Sequence, residues 1–121
     1  MKGNNVSLSE ILYRRSFGPP DKRFLDPAGF ATSRAFKPRP IDEGKLSVNV
    51  KSMTTALLSV LNDPNKFVLF EVDVLDVTAL SLSVTHDPIE GNEAHALILT
   101  IPEDDDILPG LLARKSRRVY L

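Results

Sequence analysis

The chain contains no cysteine, and that absence removes several classes of protein at once. A disulfide scaffold, a thiol nucleophile and a zinc site built on thiolates are all excluded. The composition also fits a reducing compartment. Long apolar runs are missing too. The opening residues MKGNNVSLSE lack the roughly 7–15 consecutive apolar residues of a secretory signal. No window approaches the roughly 18 apolar residues of a membrane span. These features predict a cytoplasmic protein with no membrane partner. The chain has no P-loop, no G-x-G-x-x-G, no C-x-x-C, no EF-hand loop, no zinc-finger spacing and no G-x-S-x-G elbow. Internal repeats and low-complexity segments are absent as well.

What remains is ordinary globular material. With 121 residues, 42% hydrophobic and 26% charged, the chain suits one domain, 1–121. A domain of this size buries roughly two thirds of its unfolded surface, enough for a real core without staples. Net charge is −1, but residues 1–51 carry ten Lys/Arg against five Asp/Glu, whereas residues 52–101 carry one lysine against seven acids. This asymmetry fits either two faces of opposite sign or an electropositive patch for phosphate or an acidic partner.

Five of the nine prolines lie between Pro19 and Pro40. Proline removes backbone donors and biases its predecessor away from helix. Residues 18–44 are therefore expected to form a long irregular loop, packed down by Phe24, Leu25, Phe30 and Phe36; residues 1–8 are expected to be flexible. Ile11–Arg15 reads as a strand, and Leu46, Val48 and Val50 alternate with polar residues as a half-buried strand does. A helix capped by Ser52 or Thr54 would place Met53, Ala56, Leu57, Val60 and Leu61 on one core-facing stripe, stopped by Asn62-Asp63-Pro64-Asn65. Phe67–Val77, Leu80–Thr85 and Ala94–Ile101 read as strands, the last apolar on both faces and so central. A second helix is predicted from about Asp106 to Ser116. Acids Asp104–Asp106 precede it and Arg114, Lys115, Arg117 and Arg118 follow, as the helix dipole favours. Val119–Leu121 would add an edge strand. The expected fold is α+β, a mainly antiparallel sheet of about five strands with two helices.

Three groups of side chains invite a functional reading. His86 and His95, with Asp87, Glu90 and Glu93 between them, could hold a divalent metal. Their spacing matches no metal signature, and a solvated loop with one histidine bonded at a strand start explains them as well. His95 alone could act as a general base. Arg14, Arg15, Arg34, Lys37 and Arg39 could build an anion site, since arginine forks bind phosphate bidentately. Tyr13, Phe17, Phe30 and Phe36 would then offer stacking to a base. The competing explanation has those aromatics in the core, the arginines covering it or pairing with acids.

Tyr13-Arg14-Arg15, Ser33-Arg34-Ala35-Phe36-Lys37-Pro38, Lys45-Leu46-Ser47-Val48 and Ala94-His95-Ala96 together form a Y-R-R, A-F-x-P, L-S-V, H-A outline. On these motifs the chain resembles a group of small uncharacterised bacterial proteins, which implies a bacterial source and no particular activity. In order of elements it is also distantly similar to ADP-ribosyltransferase-like domains. That likeness implies Arg14 near the NAD phosphates and Ser47 as the polar residue of the second strand. No glutamate occupies the third catalytic place, so Glu93 or His95 would substitute there. The residues themselves show no catalytic constellation and imply no cofactor. They favour a non-enzymatic interaction module binding a protein or nucleic-acid partner. The alternative is an NAD- or nucleotide-handling enzyme using Arg14, Ser47 and His95. An exposed edge strand at either terminus would allow a homodimer by sheet extension.

Overall fold

The structure, a computed structural model, describes residues 4–102 and 105–121. Its centre is a six-stranded antiparallel sheet formed by β1 (Ile11–Phe17), β2 (Leu46–Val50), β3 (Phe67–Asp73), β4 (Ser83–His86), β5 (His95–Leu99) and β6 (Arg117–Val119). The spatial order is β4-β5-β2-β1-β3-β6. Three short helices accompany it: α1 (Ala56–Ser59), α2 (Val74–Ala79) and α3 (Ile107–Lys115). The α+β class and the antiparallel sheet are as expected. There is one strand and one helix more than expected, and the first predicted helix is shorter than expected.

Because paired residues on neighbouring strands share a face, the registers divide the sheet. Leu12, Val48, Phe70, Val84 and Ile98 point to one side and form the main core with Ala35, Phe36, Val77 and Leu112. Helices α2 and α3 and a 3-10 turn over Ser33–Phe36 supply that cover. Phe36 anchors the proline-rich loop, its ring 6.2 Å from that of Phe70. Phe24 and Leu25 are partly buried against the same core, whereas Phe30, also expected to hold the loop down, is 62% exposed. On the opposite side, among the described residues, Tyr13, Val60 and Leu69 form a small buried cluster. Much of this second face is open.

Two expectations fail, both for the same reason. The stripe expected over Met53–Leu61 is broken: Lys51–Met53 is a separate 3-10 turn, and α1 spans only four residues, capped by Thr55. Val60 is fully buried, but Met53, Leu57 and Leu61 face solvent. The strand expected over Phe67–Val77 ends at Asp73, where the chain turns into α2 and buries Val74 and Val77. Short apolar runs fit both periods, and tertiary packing chooses between them. The fourth strand begins at Ser83 rather than Leu80, after a left-handed turn at Ser81 (φ 63°). The C-terminal helix lies close to its predicted span, although Asp104 lies outside the described residues. Asn4 and Val6, within the run expected to be flexible, hydrogen-bond to β4: Val6 N donates to Val84 O at 2.9 Å, and His86 N to Asn4 O at 2.7 Å.

Candidate functional site

The open face carries a groove made of two adjoining hollows of about 410 and about 380 Å³ that share Arg15, Asn49, Leu61, Gly91 and Asn92. Its floor is polar because alternation on β1, β2 and β5 sends Arg15, Ser47, Asn49 and His95 away from the core. One wall is α1 with its flanks, including Met53, Leu58, Ser59 and Leu61; the other is the β4–β5 turn, Ile89–Glu93. That turn is tight. Ile89 and Asn92 exchange backbone hydrogen bonds of 3.1 and 2.9 Å, and Gly91 takes φ 79°, a conformation glycine adopts without steric cost.

A line of amides ties the walls to the floor. Asn92 Nδ2 donates to Asn49 Oδ1 at 2.8 Å, and Asn49 Nδ2 donates to Ser59 Oγ at 3.1 Å. Asn92 Oδ1 in turn accepts from Ala94 N at 3.2 Å. His95 Nδ1 lies 2.8 Å from Asp87 O and 3.2 Å from Asp87 Oδ2. Since a carbonyl only accepts, that nitrogen carries the proton, leaving Nε2 able to accept in the neutral ring. Arg15 reaches Ser59 O at 3.4 Å, and burial lowers its pKa.

Above this polar floor the rim is apolar. Met53, Leu58, Leu61 and Ile89 are each between 45 and 59% exposed. Leu61 and Asn62 both have left-handed backbones, φ 57° and 58°. For an L-residue such as leucine this costs roughly 1–2 kcal/mol, so the chain presents an exposed leucine at the groove through a strained backbone.

Arg14, Ser47 and His95 all border this groove. The Arg14 guanidinium, however, is committed to main chain. Nε donates to Ala35 O at 2.8 Å and Nη1 to Ser47 O at 2.9 Å. The β1–β2 ladder covers only Leu12↔Val50 and Tyr13↔Asn49, and beyond it Arg14 ties the two strands together. Burial lowers its pKa to about 10, helped by Arg15 and Arg39 and partly offset by Asp42.

The five cations expected to share an anion site do not converge. Arg14 and Arg15 are adjacent on a strand and point to opposite faces. Arg34 is exposed on the Ser33–Phe36 turn. Lys37 pairs with Asp106 at 2.7 Å, and Arg39 with Asp42 at 3.1 Å across its own 3-10 turn. Of the aromatics, Tyr13 and Phe36 are buried. The histidines also separate. His86 pairs with Ala96 and so lies on the core side, with Nε2 2.7 Å from Glu93 O, whereas His95 pairs with Asn49 on the open side. Among the described residues no cluster of three metal-ligating side chains forms.

Asn49, Ser59, Asn92 and the exposed Leu58 were not singled out by the sequence. A signal for the last existed: Leu57, Leu58, Val60 and Leu61 are too closely spaced to fit one helical stripe, so part of the set must face water. Comparison with protein-family models, curated proteins and solved structures finds no match to this chain.

Proposed function

We propose that this domain is a non-enzymatic interaction module that holds a segment of a protein partner in the open-face groove. The carrying observation is the combination of exposed Met53, Leu58, Leu61 and Ile89 around a floor of hydrogen-bonding side chains. Apolar rims anchor a partner's large side chains, and fixed amides orient its backbone. A displayed peptide library selected on the folded domain should enrich sequences with a large apolar residue. The selected peptide should shift the amide resonances of Asn49, Leu61 and Asn92. Leu58→Asp should weaken its binding about tenfold or more, a loss of about 1.4 kcal/mol, without lowering Tm. Peptides indifferent to Leu58→Asp would remove the reading.

The resemblance to the small bacterial group remains part of this proposal. Its four segments meet in space: Tyr13-Arg14-Arg15, Ser47-Val48 and His95 line the groove, and Ala35 receives Arg14 from behind. A nucleotide-handling enzyme is the second reading, favoured by Ser47 and His95 facing one cavity, with Arg14 reaching its edge from the core side. It ranks lower because Arg14 gives Nε and Nη1 to carbonyls that no ligand can replace. A thermal melt with millimolar NAD decides between them. Ligand at about 100 times its Kd adds about 2.7 kcal/mol, and a shift lost in Ser47→Ala would reverse the ranking.

A further inference from the structure

We propose that the end of the open face where β1 meets β3 is a stacking platform for single-stranded nucleic acid. Phe17 and Phe67 are direct cross-strand partners, with ring centroids 5.3 Å apart, and Phe24 from the proline-rich loop stands 6.3 Å from Phe17. Phe17 is 44% exposed.

Three cations are interleaved with these rings. Arg15 lies 5.1 Å from the Phe67 centroid, Lys66 5.3 Å from Phe67 and 5.9 Å from Phe17, and Arg23 5.0 Å from Phe24. Two acids stand nearby. Asp21 pairs with Arg23 at 2.7 Å, and Asp63 accepts from the Lys66 backbone N–H at 3.2 Å. Arg15 and Lys66 make no ion pair among the described residues.

An exposed ring, Phe17, backed by the half-buried Phe67 and Phe24, with Arg15 and Lys66 free of ion pairs beside them, is what a single strand requires. Bases stack on the rings and on guanidinium planes, while the cations meet phosphates. A duplex hides its base faces, and an acidic peptide has no use for the rings. The strip is separate from the groove except for Arg15, so its occupant is tested without touching the groove.

The experiment is fluorescence anisotropy with labelled oligo-dT and oligo-U of about 15 nucleotides, a length that spans a typical single-strand site. A duplex of equal length and poly-glutamate serve as competitors, at about 50 and about 200 mM salt. The single strands should bind in a salt-dependent way and resist both competitors. Phe17→Leu should weaken binding about fivefold or more, the lower end expected for one stacked base, while Phe17→Tyr retains it. Lys66→Gln, at an exposed site, should leave Tm unchanged and reduce the salt slope by about 0.7, one phosphate contact. Absence of binding, competition by duplex or poly-glutamate at equal strength, or indifference to both Phe17→Leu and Lys66→Gln would overturn the proposal.

Discussion

Arg14 and Gly44 show how single residues hold the frame around the site. Arg14→Ala strips hydrogen bonds from the Ala35 and Ser47 carbonyls and should cost about 2–4 kcal/mol, measured by chemical denaturation. Arg14→Met keeps the stem but not the donors, and should recover only part. Because burial lowers the folded pKa to about 10, below the value in the unfolded chain, the group binds a proton in both folded and unfolded chains below pH 10. Only between those values does the unfolded chain bind more protons, so only there does this group make stability rise with pH. The stability gap between Arg14→Met and the native chain should therefore stay level from about pH 6 to about pH 9; a slope there would contradict the assignment. At Gly44 (φ 78°) an added Cβ would stand 2.8 Å from Ile101 O, and the two residues are already held together by Ile101 N donating to Gly44 O at 3.1 Å. Gly44→Ala should cost about 1–3 kcal/mol, readable as a lowered denaturation midpoint.

Among the elements, α1 is where stability and binding separate. Leu61 pays a left-handed backbone for an exposed side chain, and asparagine tolerates that conformation better. Leu61→Asn should raise stability by up to about 1 kcal/mol while weakening peptide binding in the groove. Loss of both together would show the leucine to be a packing residue. This element was also the least legible from sequence. β2 lies where alternation of Leu46, Val48 and Val50 predicts it, because a strand with one buried face has a strong period of two. The predicted helix failed although Met53, Ala56, Leu57, Val60 and Leu61 fit one stripe, because the chain breaks into a 3-10 turn and a four-residue helix, and only packing on the sheet decides that Val60 is buried while Leu57 is not. Val74 was misread for the converse reason, since it satisfies the strand alternation of β3 and the i, i+3 spacing of α2.

For the whole molecule, the site was legible in part. Arg14, Ser47 and His95 do border one cavity, but sequence cannot show that Arg14 turns to carbonyls, because that depends on where the Ser33–Phe36 turn packs. The same long-range placement brings Asn49 to Asn92, far apart in the chain and joined only by the β2–β5 ladder. Molecular scale also governs the sheet's two edges. At one edge β6 is three residues long and carries Arg117 and Arg118, with Arg117 bonded back to Asp73 at 2.8 Å. Short, charged strands resist pairing with another sheet. At the other edge β4 is also short, four residues, but carries no Lys, Arg, Asp or Glu, and Asn4–Val6 lies along it, satisfying Val84 O and His86 N. Deleting residues 1–6 frees those groups, and none of Asn4, Asn5 and Val6 is fully buried. The truncated chain should therefore fold, but form concentration-dependent dimers or larger species in sedimentation velocity under conditions where the full chain does not. If it stays at the same size as the full chain, the segment is a passenger on β4. If it associates and His86→Pro then restores the full chain's behaviour, pairing through this edge is the cause, since proline there removes the outward N–H that Asn4 O otherwise accepts and a second strand would need.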